Sequence, residues 1–430
     1  MANRFDVVIV GAGPAGSSAA ILLARAGWSV ALVEKQAFPR RKVCGECIAA
    51  SNLPLLDALG IGAVFAAAAG PELRQVALML GEREVVANLP PSSLNGHPWG
   101  RALGRDTLDT LLLEKARSAG AQVLQPCSVQ SIGGSAGAWQ VEVRAVDSER
   151  TQTLSAVVAI DAHGSWQALP STRQLRPKVR ARSDLFAFKA NFRGASLLVG
   201  KLPVLCFNGG YGGMVVADAD VTTLACCIRR DSLDAARAAS PGLRAGEVIE
   251  ALLTRECRGV RDALRGATRD APWLASGPLD PGVHLQADDK IFRIGNAAGE
   301  AHPIIGEGMS MALQSAWLLC AHLLNAGGVS TSTDPTRLRE IARVYAAEWR
   351  LQFAPRLRLA AIFAHAAMRP VTAAPLMALA RFSPGLLTLG ASWGGKTRSA
   401  VDPSLLAMLA DLRAGAAPRS VNASPAIHPI

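Results

Sequence analysis

The feature that most constrains this chain is Val7-Val8-Ile9-Val10-Gly11-Ala12-Gly13-Pro14-Ala15-Gly16, with Glu34 about twenty residues further on. Residues 7–10 form an apolar, β-branched run typical of a buried parallel strand. Residues 29–33 form a second run that ends at Glu34. Each glycine between them meets a separate demand. Gly11 permits a tight turn, Gly13 lets the backbone approach a pyrophosphate, and Gly16 lets helix and sheet pack closely. The helix opening at Pro14 and Ala15 offers free N–H groups and a positive dipole end to phosphates. Glu34 can accept hydrogen bonds from a ribose diol, and its charge opposes a 2′-phosphate. FAD or NAD therefore suits this cradle better than NADP, with Lys35 beside the acid. A glycine-rich turn that binds nothing is the competing reading, and the strand–helix–strand–acid register argues against it.

The chain has 430 residues, long enough for two domains or one large composite one. Half its residues are hydrophobic and only 5% are aromatic, so a large core must come from Ala, Leu and Val. A formal charge of +11 invites a nucleic-acid reading. The basic residues are scattered, however, and the densest run, Arg40-Arg41-Lys42, directly follows the cradle. The expectation is an Arg-rich surface that binds no nucleic acid, with an acidic carrier protein or an anionic membrane surface open as partners. Cys44-Gly45-Glu46-Cys47 has CxxC spacing, but no second pair or neighbouring histidines complete a zinc set, and no metal is expected. No signal peptide precedes the first strand, and no apolar run reaches the about eighteen residues of a membrane span. These points lead to the expectation of a cytoplasmic protein with reduced thiols.

Further along, the spacing predicts a helix over 52–59, antiparallel strands over 73–88, a helix over 106–119 and a strand at 122–124. A hairpin is expected from 139–146 and 151–160, leading into Asp161-Ala162-His163-Gly164. Residues 185–229 read as strand-rich, with a turn over 208–213. A helix over 245–258 and a strand over 290–294 follow. The strand enters Gly295-Asn296-Ala297-Ala298-Gly299, and a strongly apolar helix covers 308–324. The tail from 336 reads as helices interrupted at Pro370, Pro375 and Pro384. Residues 415–430 read as disordered from composition.

Together these motifs resemble the flavoprotein superfamily of aromatic hydroxylases, flavin-dependent halogenases and geranylgeranyl reductases, closest to the geranylgeranyl reductase-like branch. The resemblance runs from residue 5 to about residue 324, a span set by the motifs. It implies an α/β fold: a discontinuous Rossmann-like FAD-binding domain (1–75, 101–165 and 275–330) with an inserted β-rich substrate domain (76–100 and 166–274). A helical C-terminal region (331–414) would follow. It further implies that Gly11, Gly13, Pro14, Ala15, Gly16, Glu34, Lys35 and Arg40 hold the ADP half of FAD, with Arg105 and Val129. Asp161 and Gly164 would lie near the pyrophosphate. Gly295, Asn296, Gly306, Glu307, Gly308 and Met309 would lie under the ribityl chain and the ring. The helix start near Gly308 would face the N1–C2=O edge, where negative charge gathers on reduction. The family's usual Asp is here Asn296. The tryptophan-rich halogenase signature is absent, its place taken by 210–215, and this disfavours halogenation.

In such proteins the flavin performs the redox chemistry. Two outcomes are open: oxygen activation that hydroxylates an electron-rich carbon, or hydride transfer to an isoprenoid-like double bond. The leading expectation is a monooxygenase acting on a bulky apolar or aromatic substrate. A C=C reductase and a non-catalytic nucleotide-binding escort protein are the alternatives. With no second glycine motif, NAD(P)H must dock transiently or a reductase partner must deliver electrons. Candidate catalytic residues are Cys44 and Glu46 on the loop beside the ring, His302 as acid or base, and Tyr211 on the pocket floor.

Overall fold

The computed structural model describes residues 3–92, 96–146, 148, 150–165, 181–218, 220–286, 291–327, 334–393, 399–401 and 403–410. Strand β1 (Asn3–Val10) carries Val7, Val8 and Ile9 wholly buried, as a central parallel strand covered on both faces requires. Gly11 follows at φ +102°, a conformation side chains rarely adopt, and α1 (Pro14–Arg25) opens with proline in its first turn. Next come β2 (Val30–Val33), β3 (Cys47–Ile48), α2 (Leu53–Leu59), α3 (Gly62–Ala68), β4 (Gln75–Leu80), β5 (Arg83–Asn88) and β6 (Arg101–Ala102). Helix α4 (Arg105–Ser118) leads into β7 (Gln122–Leu124), β8 (Cys127–Ser135), β9 (Ala138–Ala145) and β10 (Thr151–Asp161). Four long strands follow: β11 (Leu185–Arg193), β12 (Lys201–Phe207), β13 (Gly210–Ala217) and β14 (Val221–Arg229). Then come α5 (Arg230–Ala238), α6 (Ala245–Glu256) and α7 (Arg258–Ala263). Short strands β15 (Thr268–Arg269), β16 (Leu274–Ser276), β17 (Gly282–Val283), β18 (Phe292–Arg293) and β19 (Gly299–Glu300) return the chain. The helices α8 (Gly308–Asn325), α9 (Pro335–Ala367), α10 (Pro370–Phe382), α11 (Gly385–Trp393) and α12 (Pro403–Ala410) complete the described chain.

Two sheets organise this mixed α/β molecule. The first has the order β7-β2-β1-β10-β9-β8, with β18 beside the end of β10. β1 runs parallel to β2 and β10, so the cleft opens at the carboxyl ends of these strands, where open α/β sheets bind ligands. Helices α1, α4 and α8 pack together against one face of this sheet. The second sheet has the order β15-β11-β14-β13-β12-β4-β5, with β16 also on β11. Helix α6 and α7 cover one face through Ile249, Leu253 and Val260. The chain reaches this sheet from 75–88 and again from 185–276, then returns to the first through β18.

Two expectations need correction. The predicted turn over 208–213 is confined to Asn208 and Gly209, and Gly210, Gly212 and Gly213 belong to β13. A Cβ on Gly210 would lie 2.2 Å from the Phe207 ring, and one on Gly212 would lie 2.7 Å from the Ala225 carbonyl oxygen. These glycines serve close strand packing rather than chain reversal. Pro375 does not interrupt the tail; it lies inside α10, as Pro355 lies inside α9. The expectation of disorder over 415–430 falls outside the described residues.

Candidate cofactor and substrate site

The glycine turn is built as its spacing requires. The Gly11 N–H donates to the Val33 carbonyl at 2.7 Å, tying the turn to β2. A Cβ on Gly16 would fall 1.8 Å from the Gly11 carbonyl oxygen, so no larger residue fits between α1 and the turn. Glu34 stands at the tip of β2. Its two carboxylate oxygens accept the Ala12 and Gln36 N–H groups, both at 2.9 Å, and each keeps a lone pair for a ribose hydroxyl. No side chain caps the start of α1, and no acid occupies its first turn.

Cations crowd this end of the cleft. Arg105 opens α4 and binds Asp109 through two hydrogen bonds of 2.8 Å, an i,i+4 pair. Arg40 lies 3.6 Å from both Glu34 and Asp109, and its buried Nε has no partner. Lys42 stands near Gly164, within 3.3 Å of where a Cβ would project. Burial, then the charges of Arg105 and Arg40, push the Lys42 ammonium down to about 8. Three cations thus meet two carboxylates, an excess of positive charge that an anionic group would relieve.

A single cavity of about 640 Å³ runs from this point. It begins at Gly13, Pro14, Lys42 and Arg105 and passes Gly164, Gly295, Asn296, Gly306, Gly308 and Met309. The Gly295 N–H donates to Ser315 Oγ at 2.9 Å, and Asn296 Nδ2 donates to Ser165 Oγ at 2.7 Å. Gly306 takes φ +66°, and the space beside Gly308 is open where a Cβ would stand. Helix α8 starts here with no side-chain cap, and its Gly308 and Met309 line the cavity as Pro14 and Ala15 of α1 do. Beyond α8 the cavity widens into an apolar chamber. Its walls are the second sheet (Val76, Phe188, Val204 and Met214) and helices α9, α10 and α11.

Polar groups on the chamber wall are few. Tyr211, 1% exposed, lies in β13 and lines the chamber, its hydroxyl 3.1 Å from His302 Nδ1. Burial, and then His365, pull His302 down to about 4, so its imidazole is neutral at physiological pH. The exposed His365 ring stands edge-on to His302 with centroids 5.5 Å apart. Glu300 also lines the cavity, and burial raises its carboxyl above the usual range.

Glu46 occupies the left-handed region at φ +58° and is 1% exposed. Its carboxylate accepts hydrogen bonds from Lys189 Nζ, from the Thr223 hydroxyl, and from the Arg105 N–H at 3.0 Å. This buried constellation ties the loop after Arg41 to β11 and β14 of the second sheet. Cys44 Sγ accepts the Glu46 N–H at 3.4 Å and lies against Arg105.

Most of the site residues expected from sequence converge. Gly13, Pro14, Ala15, Cys44, Glu46, Arg105, Gly164, Tyr211, Gly295, Asn296, Gly306, Gly308 and Met309 line the cavity. Gly11, Gly16, Glu34, Arg40, Asp161 and His302 are not among the residues of its wall. Asp161, at the end of β10, holds the His163 ring and backbone N–H. Glu307 does not line the cavity: its buried side chain meets Arg356 of α9 at 3.3 Å. Lys35 is exposed, and Val129 packs on the apolar face of the first sheet; neither lines the cavity. Sequence reasoning passed over Lys42, Asp109, Lys189, Glu300 and His365. Asp109 carried a local signal in its four-residue spacing from Arg105, and Lys42 in the basic run it closes.

Phosphate-binding backbone at one end of a cleft and an uncapped helix start further along suit a dinucleotide that carries a flat ring. Fold and site thus define a flavoprotein of the oxidoreductase type. Residues 4–193 match the family model described as an FAD binding domain. An FAD binding domain thus spans these residues, and the proteins the chain is similar to are FAD-dependent halogenases, monooxygenases and reductases. It is similar, at 26% identity over 75% of its length and 76% of the relative's, to the 1H-pyrrole-2-carbonyl-(peptidyl-carrier protein) chlorinase of Pseudomonas fluorescens. The menaquinone reductase of Mycolicibacterium smegmatis is 28% identical over 79% of this chain and 81% of its own. Among solved structures, the myxobacterial chondrochloren halogenase shares the fold at a TM-score of 0.73 and 18% identity, covering 96% of this chain and 97% of that one.

Proposed function

We propose that this chain is a flavin-dependent monooxygenase that hydroxylates an electron-rich ring carried by a bulky, largely apolar molecule. The observation that carries the reading is the Tyr211–His302 pair at the wall of an apolar chamber continuous with the nucleotide cleft. When bound, FAD would activate oxygen with electrons from NAD(P)H or a reductase partner. The protein binds, orients, excludes water and moves protons. The start of α1, with Arg40, Lys42 and Arg105, holds the diphosphate; Glu34 holds the ribose; the segment from Gly295 to Met309 carries the ring.

A phenol-like ring becomes more reactive toward an oxygen electrophile once its hydroxyl proton leaves. His302, neutral because burial lowers it to about 4, has a ring nitrogen free to take a proton in passing but does not hold it at physiological pH. Tyr211 passes the substrate proton to it, and His365 offers a way on to solvent. Burial holds the Tyr211 hydroxyl well above its ordinary value, so it stays protonated and hands one proton on as it takes up another. The test is turnover of a lipid-tailed phenol with NAD(P)H under labelled dioxygen. Label in the product is expected, with an acid limb of kcat/KM near 4 that His302→Asn abolishes. Product without label would sink the proposal.

One observation favours a second reading, reduction of a C=C bond in an isoprenoid-like substrate. Glu300 faces the cavity with a raised pKa and would supply the proton. The similarity to a menaquinone reductase points the same way. This reading requires substrate saturation under anaerobic conditions.

A further inference from the structure

Helices α10 and α11 carry apolar side chains on the side that faces water. In α10, Ala373, Met377 and Ala380 are buried against the body. On the opposite side Val371 is 85% exposed and Phe382 89%, with Leu376 and Leu379 about half exposed. Helix α11 has no buried residue, and its Leu389 and Trp393 continue the patch. A helix that is apolar on its outer as well as its inner side is not at rest in water.

The charge around the patch has one sign. From Trp349 to Val401 the sequence contains no Asp or Glu. Arg358, Arg369 and Arg381 are exposed and make no ion pair among the described residues. The acid of the adjoining strand β5, Glu84, is paired with Lys201. No single described helix is long and apolar enough to cross a membrane. α9 and α10 reach that hydropathy only as a pair bent by 102°. That geometry lays α10 across the end of α9 rather than in line with it.

We propose that α10 and α11 dock this protein on the surface of an anionic lipid bilayer, with Val371, Phe382 and Trp393 among the acyl chains and the three arginines at the headgroups. Leu376, Leu379, Leu389 and Trp393 line the chamber as well as the patch, so the chamber opens toward the bilayer. A lipid-soluble substrate then enters from the membrane without crossing water. The docking surface is independent of the reaction carried out inside.

The test is sedimentation of the FAD-loaded full chain with phosphatidylcholine vesicles, with and without phosphatidylglycerol. Binding to the anionic vesicles, weakened by salt, is expected. Arg369→Gln with Arg381→Gln should lower that affinity about thirtyfold. Val371→Asp with Phe382→Asp, neither of which lines the chamber, should lower it about tenfold or more while the flavin spectrum is kept. The proposal is overturned if the wild-type chain stays in solution with anionic vesicles at low salt. It is equally overturned if the two apolar variants instead abolish a dimer, or binding to an acyl carrier protein, and leave vesicle binding unchanged.

Discussion

At the scale of single residues, the least comfortable group in the cleft is Lys42. Its folded value, about 8, lies below its ordinary 10.5, because burial, Arg105 and Arg40 all oppose its charge. The ligand-free protein is therefore destabilised below about 8 and relieved as pH rises toward 10.5, and a bound diphosphate reverses the preference. Affinity for FAD should weaken across that window. Lys42→Met should bind FAD more weakly at neutral pH and lose the dependence, as read by fluorescence titration of the apoprotein. The sequence showed a basic run at 40–42, but not that Lys42 would lie among cations with no ion pair of its own among the described residues. Glu46 presents the same difficulty. Its placement beside the cleft was legible from the loop, whereas Lys189 and Thr223, over a hundred residues away, became its partners only through the pairing of β11 with β14.

At the scale of elements, local chemistry wrote the nucleotide end plainly. The glycines at 11, 13 and 16, the apolar run before them and Glu34 each answer a constraint satisfied within thirty-odd residues, the span of one βαβ unit. Gly16→Ala would set a Cβ against the Gly11 carbonyl oxygen and push α1 off β1. A loss of about 1–3 kcal/mol in chemical denaturation, together with release of FAD, is the expected result. Strand-rich segments over 185–229 were also legible, but their glycines misled. Gly210 to Gly213 have turn composition and occupy a strand, because the close approach of Phe207, Pro203 and Ala225 removes room for side chains. Proline misled in the opposite sense at Pro375, where α10 continues through a residue that ordinarily ends helices.

At the scale of the whole molecule, the C-terminal helices are tied to the cofactor fold rather than appended to it. Arg356 of α9 reaches Glu307 at the start of α8 and Gln314 one layer further in, and Gln314 also accepts the Ala400 N–H. Arg356→Met would leave the Glu307 charge buried without this partner. A cost of about 3 kcal/mol is expected in thermal or urea unfolding, with a looser grip on FAD. These ties could not be read from sequence, because neither the tail's composition nor its spacing states what its inner face meets. The first sheet shows the same dependence on distant chain. Its cleft takes β1 and α1 from the earliest residues, while β18 and α8 arrive only after residue 291. On the ribosome, then, the emerging chain has half a grip until β18 and α8 have followed β1 and α1 out. A flavin can be clasped only after that point, and cells short of flavin would be left with molecules open at their centre.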